Sequence, residues 1–377
     1  MGGIAMAGPA PRLELARAGR PAVDVVVPAG AGEDILAHAR GLALQLERIV
    51  GAPFKVREGD GAEGVFLATG AYRSGPREMT ALDPANPFQR EKYLLRTHEN
   101  GLWLMGATEL AVSHAVWDLL HRVGDRPFFP GAAREGVPVK PDLSIAVDTI
   151  EQPDYLNRRF FQGGGLGRYA RPFHAWLRRN RAISGFTLNS GHAYGGILQR
   201  NRAAFDAHPE YLALVDGERR GSKFCVSNPG LRALVVADAV RQMRENPGRD
   251  SLSMEPSDGG GWCECEDCAG IGAGLISDRV VMLANEVAEA INDLDLGPKH
   301  VGIYAYGRHS LPATLPLHPK VIPSVTTRYV RGGNTVAEQI AAWGTLAPML
   351  GVYEYYYGWG NLPGGGTAAN LTYLQRT

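Results

Sequence analysis

The chain has 377 residues, more than the roughly 250–300 at which a single core stops growing, so two domains are expected. Its 39 basic and 39 acidic side chains cancel, and a 45% hydrophobic, 21% charged make-up is that of an ordinary globular protein, so bulk charge recruits neither nucleic acid nor an anionic membrane. No apolar run nears the about 20 residues of a membrane span, and four cysteines in a chain this long make no disulfide scaffold. The N-terminal stretch shows no secretory leader, which leaves localisation open from sequence alone.

The first strand is read in "AVDVVVPAG", β-branched and closed by Pro28 and Gly30. A helix follows from Glu33, with Ile35, Leu36, Ala39, Leu42, Ala43, Leu46, Ile49 and Val50 recurring at three and four and Gly51 as its stop. "GVFLATG" gives a second strand, and "EKYLLRTHENGLWLMG" gives two more joined at Glu99-Asn100-Gly101, a hairpin signal. A helix through Leu110, Val112, Ala115, Val116, Leu119 and Leu120 ends near Gly124. Residues 1–150 therefore read as a small accessory α/β domain, without a Gly-rich phosphate loop.

Residues 151–377 change texture. Short apolar runs recur, each entering a loop dense in Gly, His, Asn or aromatic residues: "RRFFQGGG", "ISGFTLNSGHA", "YLALVDG", "DSLSMEPSDGG", "HVGIYAYGRH", "VIPSVTTRYV" and "MLGVYEYYYGWG". Amphipathic helices "LRALVVADAVRQMREN" and "LISDRVVMLANEVAEAINDL" lie between them. Repeated strand then helix means a parallel sheet, and polar residues loaded after the strands suit the active face of a (β/α)8 barrel of the TIM type. Only about seven strands are legible, so the barrel is expected to be incomplete at the C-terminus; the rival is an open doubly wound sheet.

The chemistry concentrates in "SMEPSDGGGWCECEDC". Glu255 and Asp258 follow an apolar strand, and two carboxylates in one cleft can be pushed to different pKa values, one protonated to donate and one ionised. Glycoside hydrolysis needs that division of labour. Asp before Gly is also common turn chemistry, and Glu before Pro can simply be solvated. Other strand ends supply Asn189, His192 and Tyr194, then Tyr304, Tyr306 and His309, then Glu354, Tyr355, Tyr357 and Trp359. Sugars present apolar ring faces and many hydroxyls, which aromatic platforms and polar hydrogen-bonders match. Trp262 reads as a rim platform, and Glu354 as a third candidate carboxylate. Strand alternation puts Tyr353, Tyr355 and Tyr357 on one face and Glu354 and Tyr356 on the other.

Cys263, Cys265 and Cys268 form C-x-C-x-x-C, and Cys225 in "KFCVSNPG" can approach from the preceding crossover. A structural zinc site, two disulfides and free thiols all fit this pattern. In each case the cysteines shape the acidic loop. A zinc-dependent hydrolase ranks last, since four thiolates leave no open position for water.

The stretches "LMGATELAVSHAVWDLLHRVGDRPFFPG", "HPEYLALVDGERR", "FCVSNPG", "SDGGGWCECEDC" and "YEYYYG" resemble the bacterial family described as domain of unknown function 4838, which is related to glycoside hydrolases. The resemblance implies an N-terminal α/β domain of the β-hexosaminidase and α-glucuronidase type followed by a catalytic TIM barrel. It also implies kinship with the endo-β-N-acetylglucosaminidases of glycoside hydrolase family 163, and an exported or periplasmic location. In such enzymes the substrate's acetamido oxygen can attack the anomeric carbon, with no cofactor, while one carboxylate orients the acetamide and the other is the general acid. Asp258 matches the family's Asp-Gly position, and its expected partner is Glu255, Glu354 or a residue absent from this chain. The expected activity is thus cleavage of β-linked N-acetylhexosamine-containing glycans, with Asn189, His192, Trp262, Tyr306, His309 and Tyr355 holding the sugar. The main alternative is a non-catalytic carbohydrate-binding relative. Oligomeric state is unreadable.

Overall fold

The computed structural model describes residues 9–131, 133, 135–160, 167 and 170–355. They group into two compact units, Met1–Phe186 and Thr187–Thr377.

The first unit is built on a six-stranded sheet in the order Asp148–Glu151, Tyr93–His98, Gly101–Gly106, Gly64–Thr69, Val25–Val27, Val56–Glu58. The Tyr93–His98 strand is antiparallel to both neighbours, and the remaining pairs are parallel. Helix Glu33–Val50 buries Ile35, Ala39, Leu42, Leu46 and Ile49, and Gly51, at φ 92, ends it with its N–H on the Glu47 carbonyl, as the sequence predicts. Helix Glu109–Arg122 joins it in one core layer with Val25, Val65, Leu67, Leu95 and Leu104. Val26, Phe66, Ala68, Met79, Leu94 and Met105 fill a smaller core on the sheet's other face. The described residues between 151 and 186, which the sequence groups with the second half, fall in the first unit. Arg158 pairs with buried Glu91, the Gly185 N–H donates to the same carboxylate at 2.7 Å, and Trp176 Nε1 donates to the Pro127 carbonyl at 2.9 Å.

The second unit carries a parallel sheet whose spatial order, Ser251–Ser253, His300–Ala305, Val321–Thr326, Gly351–Tyr353, is also its chain order. A doubly wound sheet needs a point where strand order reverses; among the described residues there is none, which favours the singly wound, barrel-type succession. Four strands are hydrogen-bonded, and the ladder does not close among the described residues. Helices Pro229–Glu245 and Ile276–Asn292 supply Leu231, Val235, Ala239, Val280, Leu283, Ala284 and Val287 to the core beneath Val301, Ile303, Val321 and Val325.

Three expected strands differ. "ISGFTLNSGHA" makes no regular strand but runs beside Ser251–Ser253 through serine hydroxyls. Ser251 Oγ donates to the Thr187 carbonyl and accepts the Asn189 N–H, both at 2.7 Å, and Ser253 Oγ donates to the Gly191 carbonyl at 2.6 Å. "YLALVDG" is half of an antiparallel hairpin, Leu212–Val215 with Glu218–Phe224, because Asp216 and Gly217 both turn through positive φ, 51° and 79°, as a two-residue hairpin loop requires. In "RRFFQGGG", residues 158–160 are not a strand and the remainder lies outside the described residues, as do Tyr356, Tyr357 and Trp359.

Candidate active site

All four parallel strands of the second unit send polar or aromatic residues past their C-terminal ends, where α/β folds place their sites. Glu255 follows the first strand and is fully buried. Its Oε2 accepts the Tyr304 N–H at 2.7 Å, and its Oε1 meets His309 Nε2 at 2.9 Å. Both carboxylate oxygens are thereby engaged. With Nε2–H given to the carboxylate, the His309 Nδ1 is left as an acceptor, buried and without a hydrogen-bond partner among the described residues.

Asp258, three residues on, is exposed. Its Oδ1 accepts the Tyr306 hydroxyl at 3.2 Å and the Gly259 N–H at 2.8 Å. Burial, reinforced by the Asp258 charge, pushes the Tyr306 phenol up to about 12, so it stays a hydrogen-bond donor at any ordinary pH. The loop carrying Asp258 is held from below by Lys223. Its Nζ donates to the Ser257 and Asp258 carbonyls and lies 4.9 Å from the centre of the Trp262 ring. Desolvation lowers the Lys223 pKa, while Asp258 and Glu255 pull it back.

Around these groups runs a chain of ring contacts. Trp262 meets His309 at 5.5 Å between centroids, His309 meets Tyr306 at 6.1 Å, Tyr306 meets Tyr329 at 5.4 Å and Tyr329 meets Tyr355 at 5.9 Å. It continues through Tyr355 to Tyr353 at 4.9 Å and Tyr353 to Tyr304 at 5.3 Å. The Tyr353–Tyr355 contact fits the predicted alternation. Burial, with the neighbouring tyrosines, pushes the Tyr355 phenol up. Tyr329 sits at φ 62, a conformation a bulky side chain rarely adopts, with its carbonyl accepting the Gly307 N–H at 3.1 Å.

Glu354 lies at the last strand's end, half-buried, its Oε1 accepting the Thr327 hydroxyl and the Tyr355 N–H, each at 2.8 Å. His192 is spent on the loop itself, its Nδ1 2.6 Å from the Pro256 carbonyl. Asn189 is exposed; its backbone passes so close to Gly302 that a Cβ there would sit 2.2 Å from the Asn189 oxygen. The structure thus joins Glu255, Asp258, Trp262, Tyr306, His309 and Tyr355 in one connected group, with Glu354 bonded to the Tyr355 backbone.

Sequence reasoning does not single out Lys223 and Tyr329, and it places Tyr353 on a strand face without assigning it to the site. The signals are a lysine next to Phe224 at the end of an otherwise exposed strand, and tyrosines at the ends of the runs "VIPSVTTRYV" and "MLGVY".

The four cysteines also converge. Their sulfurs lie within 4.8 Å of one another and could hold a metal ion; no two are joined by a disulfide, and three of them are buried. Hydrogen bonds from Cys263 and Cys268 push the Cys225 thiol down, and theirs are pushed up in donating to it.

Among solved structures, the chain is similar to the Streptomyces plicatus N-acetyl-β-hexosaminidase at 15% identity, covering 93% of this chain and 73% of that one with a TM-score of 0.46. It is similar to the GH20 β-N-acetylhexosaminidase of Streptomyces coelicolor A3(2) at 14% identity, covering 95% and 77%, with a TM-score of 0.45. The β-N-acetylhexosaminidase of Bacteroides fragilis is similar at 12% identity, covering 96% and 77%, with a TM-score of 0.41. No curated protein matches. The Asp258 loop, the cysteine cluster and the strand ends that carry the ring contacts all fall within residues 129–364, which match a family model over more than half of the chain: the protein belongs to the family described as domain of unknown function (DUF4838).

Proposed function

We propose that the protein is a glycoside hydrolase acting on glycans with β-linked N-acetylhexosamine. The observation that carries the reading is the exposed Asp258 carboxylate, fixed by the Tyr306 hydroxyl at 3.2 Å beside a run of aromatic rings at the strand ends. Rings there offer platforms for sugar faces, and the carboxylate offers an acceptor for an acetamide N–H.

In this mechanism Asp258 accepts the N–H of the substrate's acetamido group and turns its carbonyl oxygen toward the anomeric carbon. That oxygen attacks, the bond to the leaving oxygen breaks, and a carboxylic acid delivers its proton to the departing hydroxyl. Water then opens the cyclic intermediate and returns a proton to the same carboxylate. No step calls for a cofactor. Glu354 is the candidate acid. The complete burial of Glu255 supports a positioning role for it, holding His309 through Oε1 and the Tyr304 backbone through Oε2.

The test is glycan release from an N-glycoprotein and a panel of N-acetylhexosamine oligosaccharides, read by mass spectrometry for the wild type, Asp258→Asn and Glu354→Gln. Release that disappears in Asp258→Asn, with thermal unfolding unchanged, is the expected result. A folded wild type that releases nothing but binds the same glycans would overturn it in favour of a carbohydrate-binding protein, a reading favoured by the engagement of both Glu255 oxygens.

A further inference from the structure

Cys225 comes directly after the Glu218–Phe224 strand, Cys263 and Cys265 from the loop beyond the Asp258 turn, and Cys268 from the short helix Glu266–Ala269. Segments some forty residues apart in sequence thus place four sulfurs together. The separations are 3.6 Å for Cys225–Cys265, 3.8 Å for Cys225–Cys268 and 3.4 Å for Cys263–Cys265. A tetrahedral zinc–thiolate centre with Zn–S bonds of about 2.3 Å has its sulfurs about 3.8 Å apart, the edge of that tetrahedron. No pair of cysteines is set apart from the others, as pairing into two disulfides would require; the four are arranged around a common centre.

We propose that Cys225, Cys263, Cys265 and Cys268 bind one zinc ion as a closed, structural, four-thiolate site. Such a centre carries two net negative charges, and its surroundings supply donors for them. The Leu214 N–H donates to Cys263 Sγ at 3.3 Å, and the Arg219 guanidinium lies 3.9 Å from the same sulfur. The Ser227 hydroxyl is 3.3 Å from Cys225 Sγ, 3.6 Å from Cys265 Sγ and 3.2 Å from Cys268 Sγ. Cys225, Cys263 and Cys268 are buried, so the site has protein ligands on all four corners and no place for a reacting water.

The metal would brace the loop above it. Trp262 precedes Cys263, touches His309, and covers Lys223, whose ammonium holds the Ser257 and Asp258 carbonyls. Zinc therefore pins one end of the segment whose other end carries Asp258, without contacting a substrate. The metal site stands whether or not the chain cleaves glycans, and its test needs no activity.

Purified wild-type protein, with no added metal, is analysed by inductively coupled plasma mass spectrometry; one zinc per chain is expected. Reconstitution with cobalt(II) is expected to give the visible bands of tetrahedral thiolate coordination, and the four thiols are expected to react with a thiol reagent only after chelation. Cys265→Ser, at the most accessible of the four positions, is expected to lose most of the zinc. Four thiols that titrate freely in the native protein with no metal bound, even after reduction and incubation with zinc, would overturn the proposal, as would disulfide-linked peptides in the non-reduced digest. These wild-type results decide the matter even where the variant fails to fold.

Discussion

In the first unit the strand Gly101–Gly106 runs straight under the start of a helix: Thr108 caps it by accepting the Ala111 N–H, and a Cβ on Gly106 would lie 2.3 Å from the Val112 nitrogen. In the second unit the strand Ser251–Ser253 opens instead into a loop that presents Asp258 to solvent and buries Glu255 behind it. Both units rest on parallel strands under helices, with apolar cores of the same residue types. The difference lies in the residues after each strand. Where the helix cap closes on the strand, no space is left for a ligand; where glycines, a carboxylate and tyrosines follow, a site can form.

This contrast predicts opposite responses to substitution. Under the proposed activity, Asp258→Asn should lower kcat by about 10²–10⁴-fold, the range of a lost catalytic proton or charge contact, and leave the melting temperature where it was. Gly106→Ala should do the reverse, costing roughly 1–3 kcal/mol of stability as the helix start is pushed off the strand, with kcat per folded molecule unchanged. Equilibrium unfolding alongside turnover separates the two. A large loss of stability in Asp258→Asn would break the comparison.

A carboxylate that holds structure gives a middle case. Asp278, fully buried at the start of helix Ile276–Asn292, accepts the Thr314 N–H at 2.6 Å, the Leu315 N–H at 3.0 Å, the Thr314 hydroxyl at 2.9 Å and the Ala273 N–H at 3.1 Å. Burial pushes its pKa up, but these hydrogen bonds outweigh it and hold the group below its usual 3.8. A depressed folded-state pKa contributes stability that is present above 3.8 and lost as pH falls through the folded value. Asp278→Asn should therefore cost about 1–3 kcal/mol at neutral pH, where an amide donor faces N–H donors, and the gap from wild type should narrow in acid. Unfolding measured from about pH 2 to about pH 7, which spans that titration, would show it.

The periodic elements were readable because the core needs them: the three-and-four spacing through Leu42 and Leu46, the β-branched Val25–Val27 and the Asn100-Gly101 hairpin each follow from burial or turn geometry that residue type reports directly. The misread elements depend on partners that sequence does not name. Thr187, Asn189 and Gly191 bond to the hydroxyls of Ser251 and Ser253 rather than to a backbone ladder, and nothing in "TLNSG" marks that exchange. Asp216-Gly217 carries a hairpin signal, but it stands at the end of the apolar run "YLALV", where a strand stop looks the same. Asp258 was legible as a candidate from its place after a strand. Glu255 looked equivalent, and only the approach of His309 and the Tyr304 backbone distinguishes it. Lys223 was hidden for the same reason, since its role comes from the Ser257 and Asp258 carbonyls above it.

Tyr329 gives the smallest effect and the finest test of the contrast. Its ring touches both Tyr306 and Tyr355, yet it is 57% exposed and its backbone sits at φ 62. The left-handed conformation costs a bulky residue about 1–2 kcal/mol, which glycine would avoid while losing a similar amount of unfolded-state entropy. Little apolar area is lost from water when a ring this exposed is removed, so Tyr329→Gly should change stability by less than about 1 kcal/mol. An aromatic contact contributes about 0.5–1.5 kcal/mol, so under the proposed function KM for a glycan should rise about 3- to 10-fold with kcat nearly constant. Unchanged KM together with lowered stability would mean that the tyrosine serves the loop and not the sugar, and the ring contacts that define the binding face would then run from Trp262 only as far as Tyr306.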